Sequence, residues 1–177
     1  MHEQVELYVK HVSYGTVLTT PLDKFDPCVF DIFEALRLHR IRPLFTEYAV
    51  YDEALGVATS IDLLGIDEAH DVLCVIELTT GYGSLPFIQP PDSTRRLAAP
   101  LDALTDTPAQ RKFLQAWFAA EMLRRHYGVK QPTCCLIRCN PLRGQLEVVT
   151  SMQWTSAFSR AKLEAIYASI AKRTKRK

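Results

Sequence analysis

The feature that most constrains the fold is the run VLCVI at residues 72–76, which is apolar at every position. A strand with one face in water alternates polar and apolar residues, whereas a run without alternation is typical of a strand covered on both faces. Two further strand candidates, residues 44–51 and 57–64, precede it and are joined by a turn at residues 52–56. We therefore expect a central sheet in which residues 72–79 hold an interior position.

Helical spacing, strand composition and turn residues predict the other elements. They are one or two strands within residues 5–20, a helix over 28–38 before Pro43, a helix from Pro108 to about Gly128, a hairpin of 133–139 with 145–149, and a helix from about residue 155. Residues 81–107 are rich in proline and without periodicity, which is typical of a functional or disordered surface loop. Together these elements predict an α+β fold with a central mixed β-sheet flanked by helices, in the order αβββαββα.

Length and composition suit one globular domain. The chain has 177 residues, of which 47% are hydrophobic and 23% charged. We expect a single domain over residues 1–171, with its core at about 27–150, followed by a basic tail at 172–177. The basic side chains of the tail are Lys172, Arg173, Lys175, Arg176 and Lys177. Such a cluster favours contact with nucleic acid or nuclear import, and a solvated tail is the alternative.

The cysteines and the lack of long apolar runs bear on the compartment. Five cysteines leave an odd number for pairing, and Cys74, Cys134 and Cys135 lie in apolar runs. This pattern indicates reduced core thiols and hence an intracellular, reducing compartment, which is the cytoplasm, the nucleus or a virion. No apolar run approaches the ~20 residues of a membrane span, so we expect no membrane partner.

Three acidic residues, Glu47, Asp62 and Glu77, lie in or beside apolar strand segments. An ionised carboxylate in such surroundings needs a compensating charge, because its desolvation is costly. If the strands that end at Asp62 and Glu77 pair as a tight antiparallel unit, the two carboxylates converge, and a shared divalent cation relieves their repulsion. Oxygen ligands suit Mg²⁺ or Mn²⁺. For any one of these acids alone, a strand-end side chain in solvent is the simpler explanation.

The three acids and the residues around them resemble the core motifs of the PD-(D/E)XK nuclease superfamily, in particular its RecB-type branch, which includes mitochondrial and viral exonucleases. The resemblance rests on Glu47, on LGVATSIDLL at residues 55–64 and on VLCVIELTTG at residues 72–81. It spans roughly residues 27–150. It implies a restriction-endonuclease-like core and metal-assisted hydrolysis of a phosphodiester, in which a cation activates a bound water.

The same resemblance assigns roles to individual residues. Asp62 and Glu77 would bind Mg²⁺ or Mn²⁺, with the backbone carbonyl of Leu78 as a third ligand. Glu47 would assist the metal through water. Gln115, on the helix that follows the long loop, would orient DNA or the attacking water.

Two positions depart from the family pattern. The lysine expected two residues after the second acid is Thr79, and the tyrosine expected on the later helix is Ala119. A threonine hydroxyl brings no charge to the phosphate, so the first departure weakens or abolishes catalysis unless another cation replaces the lysine. Lys112 or Arg111 is the nearest candidate in the sequence, and a solvated first turn of the helix is the alternative for both.

The residues leave three functions open. The first is an active or residually active nuclease of a DNA-processing system. The second is a non-catalytic protein that binds nucleic acid, DNA rather than RNA, through the basic tail and through Arg95 and Arg96 of the long loop. The third is a structural or scaffold subunit of a viral or other macromolecular assembly. The missing lysine favours lost or weakened catalysis.

Overall fold

The computed structural model describes residues 1–80, 96–97, 101–102, 106–140, 145–150 and 165–169. Its elements are α1 His2–Tyr14, α2 Pro27–Leu38, β1 Ile41–Asp52, β2 Val57–Asp67, β3 Val72–Thr80, α3 Pro108–His126, β4 Thr133–Asn140 and β5 Gln145–Thr150, with a 3₁₀ turn at Leu22–Lys24. Residues 165–169 are helical, within the range predicted for the last helix. The predicted class, an α+β fold with a mixed sheet flanked by helices, is confirmed.

The sheet has five strands in the order β1-β2-β3-β4-β5, and all neighbours are antiparallel except the parallel pair β3–β4. The middle strand, β3, packs on both faces: Val75 lies in the core beneath α3, whereas Cys74 and Ile76 lie in the core beneath α1 and α2. The predicted interior strand is therefore confirmed. Parallel neighbours need a crossover connection, and α3 lies within the one between β3 and β4.

The prediction of strands within residues 5–20 is wrong, because α1 occupies residues His2–Tyr14. Val5 and Val9 are four residues apart, so they share one helix face, and both are buried against the sheet. The low helix preference of valine amounts to only a few tenths of a kcal/mol, which the burial of two side chains outweighs. Gly15, in the left-handed conformation with φ of 66°, ends the helix.

The first strand begins earlier than the sequence predicted. β1 starts at Ile41, so Pro43, which was expected to mark the end of the preceding helix, lies within the strand. Because β1 is an edge strand of the described sheet, the missing N–H of Pro43 removes no bond from an interior ladder. Gly65 of β2 lies opposite Pro43, and a Cβ atom there would approach the carbonyl oxygen of Arg42 to 2.9 Å. The close contact between the two strands therefore requires glycine at residue 65.

The prediction of reduced core thiols is confirmed for three cysteines, but the other two are paired. Cys28 of α2 and Cys139 of β4 form a disulfide that closes a separation of 111 residues. Cys74, Cys134 and Cys135 are buried and free, and burial raises the pKa of the Cys74 thiol to about 11. The pattern of apolar runs identified the three core thiols but carried no information on which distant segments would meet.

Several predictions fall outside the described residues. They concern the loop from residue 81 to 95 with Arg95, the turn at 141–144, the start of the last helix at about 155–164, and the tail at 172–177. Arg96 is described and is exposed. Within the described ranges, no helix has both the length and the apolar character that crossing a membrane requires.

Candidate functional site

β2 and β3 pair as far as Leu63 and Ile76, and this register places Asp62 opposite Glu77 where the ladder ends. There the Oδ2 atom of Asp62 accepts a hydrogen bond of 2.9 Å from the backbone N–H of Leu78. At this point a hydrogen bond from the backbone to a side chain takes the place of backbone pairing between β2 and β3. The carboxyl groups of Asp62 and Glu77 lie within hydrogen-bonding reach of each other. The structure brings these two predicted residues together on adjacent antiparallel strands.

Lys112, in the second turn of α3, contacts both carboxyl groups. Its Nζ atom is 3.0 Å from Oε2 of Glu77 and 3.8 Å from Oδ2 of Asp62. The crossover from β3 to β4 brings this part of α3 close to the end of β3, which explains how a residue 35 positions away reaches Glu77. Of the two predicted substitutes for the family lysine, Lys112 reaches the acids. Arg111 is largely exposed and pairs with Asp106 instead.

Glu77 is fully buried, and this burial dominates the electrostatics of the site. Burial and the neighbouring Asp62 charge raise the pKa of Glu77 to about 8, although Lys112 acts in the opposite direction. Burial also acts to lower the pKa of Lys112, but Glu77 and Asp62 outweigh it, so that pKa is raised. Oε1 of Glu77 has no hydrogen-bond partner among the described residues. A buried carboxyl oxygen in this state can accept a cation or hold a proton.

A second set of ligand atoms lies on the other side of Asp62. The Nδ1 atom of His2 is 3.7 Å from Oδ1 of Asp62 and 3.6 Å from Oε1 of Glu47. One ligand atom from each of these three residues lies within 4.8 Å of the other two. Ser60 donates a hydrogen bond of 2.9 Å to Oε2 of Glu47, which fixes that carboxylate. Two carboxylate oxygens and an imidazole nitrogen at these distances can bind a divalent cation.

The local backbone explains how Glu47 reaches this position. Thr46 pairs with Leu63 and Tyr48 pairs with Ile61, so Glu47 lies opposite Asp62 across the β1–β2 pair. Glu47 itself has a φ of 49°, which an extended strand does not contain. A non-glycine residue in this region costs of order 1 kcal/mol and is common at functional sites. Sequence patterns do not reveal such a kink, although they did place Glu47 on the first strand.

An open cleft of about 540 Å³ lies next to the acids, lined by Thr79, Asp106, Arg111, Lys112 and Gln115. Three predicted site residues, Thr79, Lys112 and Gln115, therefore face one space. Leu78 shares the site through its backbone, while its side chain is buried in the core beneath α1 and α2.

His2 is the residue of the site that sequence reasoning missed. The five histidines show no metal-ligand spacing, and the segment that follows His2 was expected to form strands. Only the packing of α1 against the sheet brings the start of this helix to Asp62, and no local sequence pattern indicates that contact.

A search of protein-family models and a search of curated proteins found no match to this chain.

Proposed function

We propose that the chain is a PD-(D/E)XK-like, metal-dependent nuclease with a restriction-endonuclease-like core, in which Lys112 replaces the lysine missing at Thr79. The observation that supports it most directly is the position of the Lys112 ammonium, 3.0 Å from Glu77 and 3.8 Å from Asp62 at the edge of an open cleft. The family lysine acts by placing a positive charge beside the metal-binding acids. A lysine from α3 supplies the same charge at the same acids.

The donor set fits a hard divalent cation. Asp62 and Glu77 would hold it by the family resemblance, whereas the ligand atoms that lie within 4.8 Å of one another belong to His2, Glu47 and Asp62, on the exposed side of Asp62. The unpartnered buried oxygen of Glu77 suits this role, and an imidazole in the set favours Mn²⁺ over Mg²⁺. A bound cation would lower the pKa of a water and neutralise charge on the phosphate.

The remaining chemistry belongs to the chain's own side chains. The Leu78 N–H binds Oδ2 of Asp62 and so holds this carboxylate in one orientation. The other oxygen of Asp62, Oδ1, therefore stays directed toward Glu47 and His2. Lys112 would stabilise the charge that builds on the scissile phosphate. Gln115, on the same helix and facing the same cleft, would position the nucleic-acid strand. DNA is the expected substrate by the resemblance.

Cleavage of single- and double-stranded DNA in Mn²⁺ or Mg²⁺ tests this proposal. Wild type should cleave, and Asp62→Asn should abolish cleavage because Asp62 is shared by both sets of ligand atoms. Arg111→Met is the matched control, since Arg111 lines the same cleft but pairs with Asp106 rather than with the acids. Lack of cleavage by folded wild type in both metals would contradict the proposal.

A second function, that of a non-catalytic nucleic-acid-binding or scaffold subunit, is favoured by one specific observation. Lys112 already compensates the acid pair, and the pKa of Glu77 near 8 lets this residue hold a proton at neutral pH. The pair therefore needs no cation for stability, as expected of a non-catalytic nucleic-acid-binding or scaffold subunit. Titration of the folded protein with Mn²⁺ separates the two functions, because this alternative predicts no binding that depends on Asp62.

An intracellular, reducing location remains a prediction, and the Cys28–Cys139 disulfide does not support it.

A further inference from the structure

Five aromatic side chains lie in or beside the edge strand β1 in two contacting groups, which we together call the aromatic row: Tyr14, Phe45 and Tyr48 form one group, and Tyr51 and Tyr127 form the other. Ring centroids are 6.5 Å apart for Tyr14 and Phe45, 5.6 Å for Phe45 and Tyr48, and 6.4 Å for Tyr51 and Tyr127. All but Tyr48 are exposed, with Tyr14 at 55% and Tyr51 at 54%. Rings this accessible contribute little to the core and are available to a ligand.

The aromatic row passes directly beside the candidate metal ligands. Glu47 lies between Phe45 and Tyr48 in β1, and its positive φ interrupts the alternation of the strand. Phe45 pairs with Leu64 and Tyr48 with Ile61, and both of these partners belong to the core beneath α3. The two rings therefore lie on the α3 side of the sheet, the side from which Lys112 reaches the acids.

The far end of the row forms a pocket. About 450 Å³ of space is lined by Tyr51, Glu53, Ala54, His126 and Tyr127. This volume is within the range of small-molecule sites, so a single nucleobase can enter it. His126 is held by the buried Asp52, whose Oδ2 lies 2.8 Å from Nε2.

The strand edge and its flanking charges favour a nucleic acid over a protein strand as the occupant. A partner strand needs a regular row of N–H and C=O groups, whereas Pro43 has no N–H and Glu47 leaves the extended conformation. In the sequence, basic residues precede Phe45 (Arg40 and Arg42) and surround Tyr127 (Arg124, Arg125 and Lys130). Arg42 is paired with Glu68, and Arg124 and Arg125 are paired with Glu121. Among the described residues, Arg40 and Lys130 form no ion pair, so their charges are available to phosphates.

We propose that the aromatic row binds single-stranded nucleic acid by base stacking and leads the strand to the cleft at Asp62, Glu77 and Lys112. The inference rests on the proposed function of that cleft. Lys112 and His126 are 14 residues apart on α3, about 21 Å, so the strand would span several nucleotides between the cleft and the pocket. Aromatic stacking tolerates any base, because every base has a π-face.

The test measures binding of a fluorescent oligonucleotide of about 20 nucleotides in an Asp62→Asn background, which removes cleavage. Phe45→Ala and Tyr51→Ala should each weaken binding about 5- to 150-fold, while the salt dependence stays unchanged because no phosphate contact is lost. The ring-preserving variants Phe45→Tyr and Tyr51→Phe should retain affinity. Leu22→Ala, an exposed apolar side chain outside the row, is the control and should have no effect.

The outcomes separate this inference from the proposed function. Unchanged affinity of both alanine variants, together with metal-dependent cleavage by wild type, overturns the aromatic row and leaves the nuclease proposal standing. If the ring-preserving variants weaken binding as much as the alanine variants do, the loss comes from folding or packing and not from stacking. This result also overturns the aromatic row. Absence of oligonucleotide binding and of cleavage in folded wild type overturns both.

Discussion

Replacing Lys112 with methionine removes the ammonium group that lies 3.0 Å from the buried Glu77 while keeping most of the apolar stem. In the wild type, burial raises the pKa of Glu77 to about 8 from an ordinary value of 4.5. The folded protein therefore holds a proton on Glu77 that the unfolded chain has released. Stability from this source is fully present below about pH 4.5 and is lost as pH rises through about 8, above which the curve becomes flat.

Loss of Lys112 raises the pKa of Glu77 further, because the ammonium is the group that lowers it. The variant should then continue to lose stability above about pH 8, at about 1.4 kcal/mol per pH unit. Over two units this gives roughly 3 kcal/mol, close to the ~3–5 kcal/mol measured when one partner of a buried ion pair is removed. Below about pH 7 the carboxyl group is mostly protonated in both proteins, so the difference should stay near 1 kcal/mol.

Urea unfolding at a series of pH values measures this directly. Arg111→Met is the control, because Arg111 lines the same cleft but pairs with Asp106 rather than with Glu77, so its stability difference from wild type should not follow the ionisation of Glu77. Glu77→Gln in combination with Lys112→Met should remove the extra pH dependence. A stability difference between wild type and Lys112→Met that stays constant with pH would refute the coupling of Lys112 to the ionisation of Glu77.

Two further predictions concern the fold. Cys28→Ser should lower the free energy of unfolding by up to about 5 kcal/mol, because the disulfide to Cys139 closes a separation of 111 residues. Urea unfolding with and without reductant tests this prediction, since reductant should destabilise wild type but not the variant. Gly65→Ala should lower it by about 1–3 kcal/mol, because the new Cβ would lie 2.9 Å from the Arg42 carbonyl oxygen, and an unchanged melting temperature would contradict the close approach of β1 and β2.

The parts of the molecule that the sequence predicted correctly are those set by local pattern. The unbroken apolar run around Val75 identified the central strand, because a strand covered on both faces cannot alternate. Asp62 and Glu77 stood out as charged residues in apolar surroundings, and the register of β2 and β3 does bring them together. Pro108 likewise marked the start of α3.

The parts that could not be predicted depend on contacts between distant segments. The β-branched residues near Val5 match a strand by composition, and only packing against the sheet makes the segment a helix. The approach of His2 to Asp62 follows from that helix, so the error about α1 also concealed a candidate ligand. Lys112 was one of two equal candidates in the sequence, and the β3–β4 crossover distinguishes it from Arg111.

The most direct test of the central claim, that Lys112 acts as the displaced lysine, is a transfer of the charge back to β3. The Mn²⁺-dependent rate of DNA cleavage is measured for wild type, Lys112→Met and the double variant Lys112→Met/Thr79→Lys. We predict that Lys112→Met loses on the order of 10²–10³ in rate and that the double variant regains a substantial part of it, since Thr79 lines the same cleft. Cleavage by Lys112→Met at the wild-type rate, or no cleavage by any of the three folded proteins, would contradict the account.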